Sequence, residues 1–124
     1  MCTRHTFILW REIKLNIAYP QVLILEDKII AYFDYWLIPP EAQLITLCVA
    51  PHFQKKGFGS YLMNEFVKQC ERFLLKEIFL EVRVSNEKAI ALYEKFKFEK
   101  TQKRKAYYSD NKEDAWVMKR MLKV

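Results

Sequence analysis

The sequence contains few of the residues that build disulfide frameworks, metal clusters or long flexible segments. Its 124 residues include three cysteines, two glycines and four prolines. The cysteines, Cys2, Cys48 and Cys70, are odd in number and lack CxxC spacing, which argues against a disulfide scaffold and a zinc site. We therefore expect a protein of the reducing cytoplasm that binds no metal.

A long apolar run is also lacking. The stretch Phe7–Leu9, between Arg4 and Arg11, is much shorter than the hydrophobic core of a signal peptide. No stretch approaches the about 20 apolar residues that cross a bilayer, so we expect no membrane partner. Hydrophobic residues make up 52% of the chain, which is enough for one domain, residues 1–124, with its own core.

Positive charge is concentrated in the second part of the chain. Residues 1–50 carry four Lys and Arg against five Asp and Glu, and residues 51–124 carry seventeen against ten, which gives the net charge of +6. A basic surface attracts phosphate groups, either on a nucleotide cofactor or on nucleic acid. Charge alone does not distinguish these ligands from an ordinary solvated surface.

The periodicity of the apolar residues predicts alternating strands and helices. The predicted elements are a short helix over Trp10–Ile17, strands over Val22–Leu25, Ile29–Trp36 and Leu44–Val49, a helix from about Gly59 to Phe73, a strand over Ile78–Val82, a helix over Ala89–Phe96 capped by Ser85 or Asn86, and strands over Phe98–Arg104 and Ala115–Met121. The first two strands are close enough for a tight hairpin. This order is typical of a mixed α/β (α+β) layer with helices packed on one sheet.

Both glycines lie in one turn, where a predicted strand leads into a predicted helix. Residues 49–60 read Val-Ala-Pro-His-Phe-Gln-Lys-Lys-Gly-Phe-Gly-Ser. Gly57 and Gly59 permit positive φ and close backbone approach, so successive N–H groups and the helix N-terminus can bind one pyrophosphate. Lys55 and Lys56 add positive charge, and Ser60 adds a hydroxyl donor. An ordinary turn at a helix start explains these residues equally well.

Two polar side chains have catalytic potential. Glu81 stands within the apolar run Ile78–Val82, and a carboxylate in such surroundings is suited to accept a proton from an amine. A structural ion pair with Arg83 is the alternative. Tyr93, on the next predicted helix, is either a proton donor or a core aromatic residue with a satisfied hydroxyl.

Three ordered sequence blocks resemble one known family. Residues 54–59, QKKGFG, are similar to the Q/R-x-x-G-x-G/A pyrophosphate loop of the GCN5-related N-acetyltransferase (GNAT) superfamily. Residues 80–86, LEVRVSN, followed by AIALYE at 89–94, resemble the LEVR-x-SN…AI-x-LYE block of bacterial ribosomal-protein-alanine N-acetyltransferases. Residues 104–110, RKAYYSD, with Glu113, Asp114, Ala115 and Met118, are similar to the RKNYY…EDA-x-x-M ending of N-terminal acetyltransferases.

The resemblance implies acetyl-CoA as cofactor and a role for each matching residue. Glu81 would be the general base and Tyr93 the general acid, while Tyr107 and Tyr108 would line a peptide groove. The strand before the glycine turn would bind the pantetheine arm through its backbone. The implied cofactor-binding residues are Leu47, Cys48, Val49, Gln54, Lys55, Lys56, Gly57, Phe58, Gly59, Ser60 and Asn86.

The implied reaction is acetylation of a protein N-terminal α-amine, with a ribosomal protein as the expected acceptor and no specific nucleic acid partner. A lysine or small-amine acetyltransferase, or a non-catalytic ribosome- or RNA-associated binding module, remains an alternative. The resemblance also implies a mostly antiparallel sheet, shortened at the N-terminus because only nine residues precede Trp10. Lys97 and Ala106 replace the usual Gly and Asn of the family, and Lys97 is expected to be left-handed at a helix end.

Overall fold

The structure is a computed structural model that describes residues 6–9 and 17–123. Its elements in chain order are β1 (Thr6–Leu9), β2 (Gln21–Leu25), β3 (Lys28–Ile38), β4 (Glu41–Val49), α1 (Phe58–Arg72), β5 (Glu77–Arg83), α2 (Glu87–Lys95), β6 (Glu99–Arg104) and β7 (Ala115–Met121), with a short 3-10 turn at Pro51–Phe53. Within these residues, seven strands form one sheet in the order β1-β2-β3-β4-β5-β7-β6. Only the β4–β5 pair is parallel among these strands. The predicted fold class is therefore confirmed.

The N-terminal edge of the sheet differs from what the sequence predicts. β1 is not predicted, because four residues are too few to show a strand period. Its backbone pairs with β2, from Thr6 opposite Ile24 to Leu9 opposite Gln21. The predicted helix over Trp10–Ile17 lies outside the described residues, except for Ile17, which is in a turn. β1 thus supplies an edge strand despite the short segment before Trp10.

The first predicted hairpin is confirmed. Leu25 pairs with Lys28, and the two residues between them, Glu26 and Asp27, have φ values of 49° and 65°. Two-residue turns with positive φ match the right-handed twist of the flanking strands. β2, β3 and β4 therefore form the antiparallel meander that the apolar runs predict.

The core lies between the helices and one face of the sheet. α1 buries one side against β3, where the Phe66 and Tyr35 rings lie 5.0 Å apart. Gln21 is the exception to an apolar core among the described residues, with 2% exposure. Its amide and that of Gln69 exchange hydrogen bonds of 2.7 and 2.8 Å, and the Tyr35 hydroxyl donates to Gln69 at 2.8 Å. These bonds satisfy the buried amide, as burial requires.

Both ends of α2 follow sequence signals. Asn86 is the N-cap, and its side chain accepts a hydrogen bond of 3.2 Å from the Ala89 N–H. At the other end, Lys97 has φ 69°, so its predicted left-handed conformation is confirmed. Its N–H donates to Glu94 at 2.9 Å, and the Phe98 N–H donates to Tyr93 at 3.1 Å. This pair of bonds is a Schellman motif.

The parallel pair β4–β5 opens into a gap. The two strands pair only from Glu41 opposite Glu77 to Leu44 opposite Leu80. Beyond that point β4 remains paired with β3 as far as Val49. β5 remains paired with β7 as far as Arg83. Each strand therefore keeps one partner while its other edge faces the gap.

No helix within the described residues is long and apolar enough to cross a membrane.

Candidate active site

Two cavities flank the gap between β4 and β5. The first, the carboxylate cavity, has a volume of about 560 Å³ and is lined by Trp36, Gln43, Leu44, Ile45, Phe79, Glu81, Arg104, Tyr107 and Tyr108. The second, the loop cavity, has a volume of about 360 Å³ and is lined by Leu47, Cys48, Val49, Phe53, Gln54, Lys55, Gly59, Asn86, Lys88, Ala89, Leu92 and Tyr93. Glu81 and Tyr93 thus lie in different cavities.

The alternation of β5 places these cavities on opposite faces of the sheet. Leu80 and Val82 are buried in the core beneath the helices, so Glu81 between them points to the other face. The loop cavity is on the helix face, because α1 contributes Gly59 and α2 contributes Tyr93 to its wall. The gap is therefore accessible from both sides.

Glu81 is nearly buried, and its two carboxylate oxygens have different partners. The side chain is 10% exposed. Oε1 accepts hydrogen bonds from Gln43 Nε2 at 3.1 Å and from the Tyr107 hydroxyl at 2.9 Å. Arg104 Nε lies 3.0 Å from Oε2, but it is not aligned as a hydrogen bond, and the buried Oε2 has no hydrogen-bond donor in the part of the chain that the structure describes. Oε2 therefore keeps its acceptor capacity.

The ion pair between Glu81 and Arg83 that sequence spacing allows is not formed. Arg83 instead contacts Asp110 at 2.9 Å and Glu113 at 3.3 Å. The hydrogen bond that Arg83 donates to Asp110 raises the pKa of Arg83, and Glu113 adds to this effect. The guanidinium also lies 3.9 Å above the Tyr108 ring. Arg83 therefore ties the β6–β7 loop to β5.

Both predicted groove tyrosines come from that loop and lie in the carboxylate cavity. Their rings meet edge to face at 5.1 Å. The hydrogen bond to Glu81 is the main reason that the pKa of Tyr107 is raised. Ala106, just before them, has φ 50°, a conformation that the Asn usual at this position in the family tolerates better.

Tyr93 is 8% exposed and lies in the wall of the loop cavity. Burial, with a smaller contribution from nearby Tyr108, raises the pKa of its phenol to about 12. The hydroxyl therefore keeps its proton at neutral pH. Because Tyr108 also lines the carboxylate cavity, the two cavities are near each other at this tyrosine.

The glycine turn leaves backbone N–H groups open at the start of α1. Gly57 is the N-cap with φ 88° and has no side-chain cap. The first intrahelical bond runs from the Tyr61 N–H to the Gly57 carbonyl, at 3.0 Å. The N–H groups of Phe58, Gly59 and Ser60 therefore have no partner within the helix. Such a helix start favours an anion.

Of the two glycines that permit positive φ, Gly57 adopts it and Gly59 does not. Gly59 lies in the first turn of α1, and Lys55 takes the second left-handed position with φ 62°. Four of the predicted cofactor-binding residues, Lys56, Gly57, Phe58 and Ser60, do not line the loop cavity. The Phe58 side chain is buried in the core with 5% exposure. Its backbone alone is therefore available to a ligand.

Several residues around the site are not predicted from sequence. Gln43 and Arg104 contact Glu81, while Trp36 and Phe79 give the carboxylate cavity aromatic walls. Near the glycine turn, Lys95 Nζ donates to Ser60 Oγ at 3.2 Å. Strand alternation places Gln43 and Phe79 on a face of their strands, but it indicates that they lie near Glu81 only once β4 is known to pair with β5.

Among the described residues, the cysteines and metal-ligating residues form no second centre. Cys48 is exposed and lines the loop cavity. Cys70 is buried, and burial raises the pKa of its thiol to about 12, which disfavours a nucleophilic thiolate. In the described part of the chain, no group of three or more His, Cys, Asp or Glu residues is placed to hold a metal ion.

Comparison with known proteins agrees with this architecture. Residues 3–98 match the model of the acetyltransferase (GNAT) family. A putative ribosomal protein bS18-alanine N-acetyltransferase of Bacillus subtilis (strain 168) is 33% identical over 106 residues, which cover 84% of this chain and 70% of that protein. The ribosomal protein bS18-alanine N-acetyltransferase of Escherichia coli (strain K12) is 36% identical over 93 residues, which cover 73% and 63% of the two chains.

The fold is also shared with a solved structure. The crystal structure of the ribosomal-protein-S18-alanine N-acetyltransferase from Escherichia coli superposes with a TM-score of 0.87 at 24% identity, covering 98% of this chain and 96% of that one. By sequence, the matched segment spans about two thirds of the length of the two curated relatives. The chain belongs to the acetyltransferase (GNAT) family.

Proposed function

We propose that this chain transfers an acetyl group from acetyl-CoA to the α-amino group at the N-terminus of a protein, with a ribosomal protein as acceptor. The observation that carries the proposal is the pair of cavities on opposite faces of the β4–β5 gap. One contains a nearly buried carboxylate among aromatic residues, and the other begins at an anion-binding turn. The names of the bacterial relatives, which are alanine N-acetyltransferases of a ribosomal protein, support this acceptor class.

The loop cavity fits acetyl-CoA. The open N–H groups at the start of α1 suit its diphosphate, and the first turn of this helix contains no Asp or Glu. Lys55, Lys56 and Lys95 add positive charge there, and the half-buried, mostly apolar wall suits the pantetheine arm. The residues that would hold the cofactor are Leu47, Cys48, Val49, Gln54, Lys55, Lys56, Gly57, Phe58 (backbone), Gly59, Ser60 and Asn86. When bound, acetyl-CoA supplies the acetyl thioester that the amine attacks.

Glu81 acts as the base in this proposal. An α-ammonium group with a pKa of about 8 must lose a proton before its nitrogen can attack. Glu81 Oε2 is the carboxylate oxygen without a hydrogen-bond donor, so it is the atom that accepts this proton. The aromatic walls formed by Trp36, Tyr107 and Tyr108 surround the residues that follow the amine.

Tyr93 acts as the acid on the other face. Its phenol, with a pKa of about 12, retains a proton at neutral pH and donates it to the sulfur of the leaving group. Placing the base and the acid on opposite sides of the sheet separates proton removal from proton delivery. Neither Cys48 nor Cys70 is needed in this direct transfer.

The test is acetylation of a peptide with a free N-terminal alanine and an internal lysine. Mass spectrometry locates the acetyl group, which we expect on the α-amine. A second peptide with a blocked N-terminus and the same lysine should remain unmodified. Modification of lysine alone, or of no peptide despite saturable acetyl-CoA binding, would contradict the proposal.

Variants at the two proposed catalytic residues sharpen the test. Glu81→Gln is expected to lower kcat by about 10²–10⁴-fold while leaving acetyl-CoA affinity unchanged. Tyr93→Phe is expected to lower kcat as well. Glu77→Gln is the matched control, because Glu77 lies on the same strand but outside the carboxylate cavity. Equal activity of the Glu81 and Glu77 variants would remove Glu81 from the mechanism.

A further inference from the structure

Arg104 covers the oxygen of Glu81 that the proposed reaction needs. Oε1 is occupied by two well-formed hydrogen bonds, from Gln43 and Tyr107. Among the described residues, the charged partner of Oε2 is the Arg104 guanidinium, which lies 3.0 Å away without hydrogen-bond alignment. The Arg104 guanidinium therefore offsets the negative charge of the Glu81 carboxylate but donates no hydrogen bond to Oε2.

Arg104 is weakly held where it lies. Its side chain is 49% exposed, and its guanidinium is 5.6 Å from the centre of the Tyr107 ring. Arg83, by contrast, is hydrogen-bonded to Asp110, Asn111 and Glu113. Because Arg104 is at the end of β6 and half in solvent, its side chain can move away from Glu81 without breaking a network.

The ammonium group of the acceptor and the guanidinium of Arg104 would interact with the same atom, Glu81 Oε2. An α-ammonium group is a cation with N–H donors, as is a guanidinium, and the Arg104 guanidinium already lies 3.0 Å from the buried oxygen that the ammonium needs. An acceptor ammonium at Oε2 therefore competes with the Arg104 guanidinium for that oxygen. We propose that Arg104 occupies the position of the acceptor ammonium in the free enzyme and is displaced into solvent when the acceptor binds. This inference rests on the proposed function.

Displacement makes Arg104 a competitor of every cationic acceptor. A small amine gains contact with Glu81 only by exchanging one cation for another. A peptide makes the same exchange and adds contacts along the aromatic walls at Trp36, Tyr107 and Tyr108. Arg104 therefore weakens the binding of both acceptors equally, and the preference for the peptide comes from its contacts with the aromatic walls. The chemical class favoured by this arrangement is a peptide with a free α-amine.

The test compares two peptides that differ only at the amine. Isothermal titration calorimetry measures the dissociation constants of a free-amine peptide and its Nα-acetylated form, using protein saturated with coenzyme A. Arg104→Gln removes the competing cation, so we expect it to bind the free-amine peptide about two- to fivefold more tightly, as expected for a half-exposed ion pair. The acetylated peptide carries no ammonium, and its affinity should not change.

Two further variants serve as controls. Arg104→Lys retains the cation and should bind the free-amine peptide with the affinity of the wild type. In a Glu81→Gln background, the Arg104→Gln change should have no effect, because neither cation then has a charged partner. A structural role for Arg104 would instead change the affinity of both peptides. Unchanged or weaker binding of the free-amine peptide by Arg104→Gln would overturn the displacement.

Turnover by the wild type separates this inference from the proposed function. If the wild type acetylates no peptide α-amine, the proposed function fails and the displacement fails with it. If the wild type acetylates the peptide but Arg104→Gln gains no selective affinity for the free amine, only the displacement fails.

Discussion

Replacing Lys97 with glycine is expected to stabilise the protein. Lys97 occupies the C′ position of the Schellman motif at the end of α2, with φ 69°. Both hydrogen bonds of the motif are formed, and the Tyr93 and Phe98 rings pack against each other at 6.2 Å. The motif is therefore complete except for the residue type that it prefers, which is glycine.

The magnitude follows from the backbone conformation. A left-handed conformation costs an L-residue about 1–2 kcal/mol. Glycine removes that strain but adds about 0.5–1 kcal/mol of conformational entropy to the unfolded chain. The Lys97 side chain is exposed, so little packing is lost. Lys97→Gly should therefore increase the free energy of unfolding by roughly 0.5–1 kcal/mol.

Urea denaturation of the wild type, Lys97→Gly and Lys97→Ala measures the effect. Lys97→Ala is the matched control, because it removes the same side chain but keeps the Cβ that strains the left-handed conformation. Its free energy of unfolding should equal that of the wild type, while Lys97→Gly has a higher denaturation midpoint and the same slope. A glycine variant no more stable than the alanine variant would refute the reasoning. Peptide turnover should be unchanged, because the motif keeps Tyr93 in place.

Two further predictions concern the cysteines and the buried amides. Iodoacetamide should alkylate Cys48 in the native protein but Cys70 only after unfolding, because burial shields the Cys70 thiol and raises its pKa to about 12. Peptide mass spectrometry distinguishes the two sites. If coenzyme A does not slow the alkylation of Cys48, the proposed cofactor site is contradicted. Gln69→Leu should lower the free energy of unfolding by about 1–3 kcal/mol, because it leaves the buried Gln21 amide without its partner. Urea denaturation checks this loss, and unchanged stability would show that water satisfies Gln21.

Local patterns in the sequence predict most of the elements of this fold. The strands within β2 to β5 and the two helices follow from apolar periodicity, with boundaries that differ from the structure by a few residues at most. The tight hairpin, the Asn86 cap and the left-handed Lys97 follow from residues adjacent in the chain. These features depend on short-range sterics and hydrogen bonds, which a single sequence contains.

The surroundings of Glu81 could not be predicted in the same way. Its contacts with Gln43 and Arg104 require β5 to lie between β4 and β7 in a particular register. That order depends on long-range packing, and no local pattern contains it. The sequence spacing instead favours Arg83 as a partner, although Arg83 binds the β6–β7 loop. The positive φ that Gly59 permits is not used, because Gly59 lies in the first turn of α1, which begins at Phe58.

The short parallel seam between β4 and β5 has a consequence for mutations far from the proposed chemistry. Ala42 and Ile78 face each other within it, and both are buried, with 1% and 0% exposure. A larger side chain at either position would wedge the two halves of the sheet apart and change the angle at which they diverge. Both cavities would then change shape together, so the affinity for acetyl-CoA and the affinity for the acceptor peptide would both change. Proximity to Glu81 is therefore a poor guide to which substitutions alter catalysis.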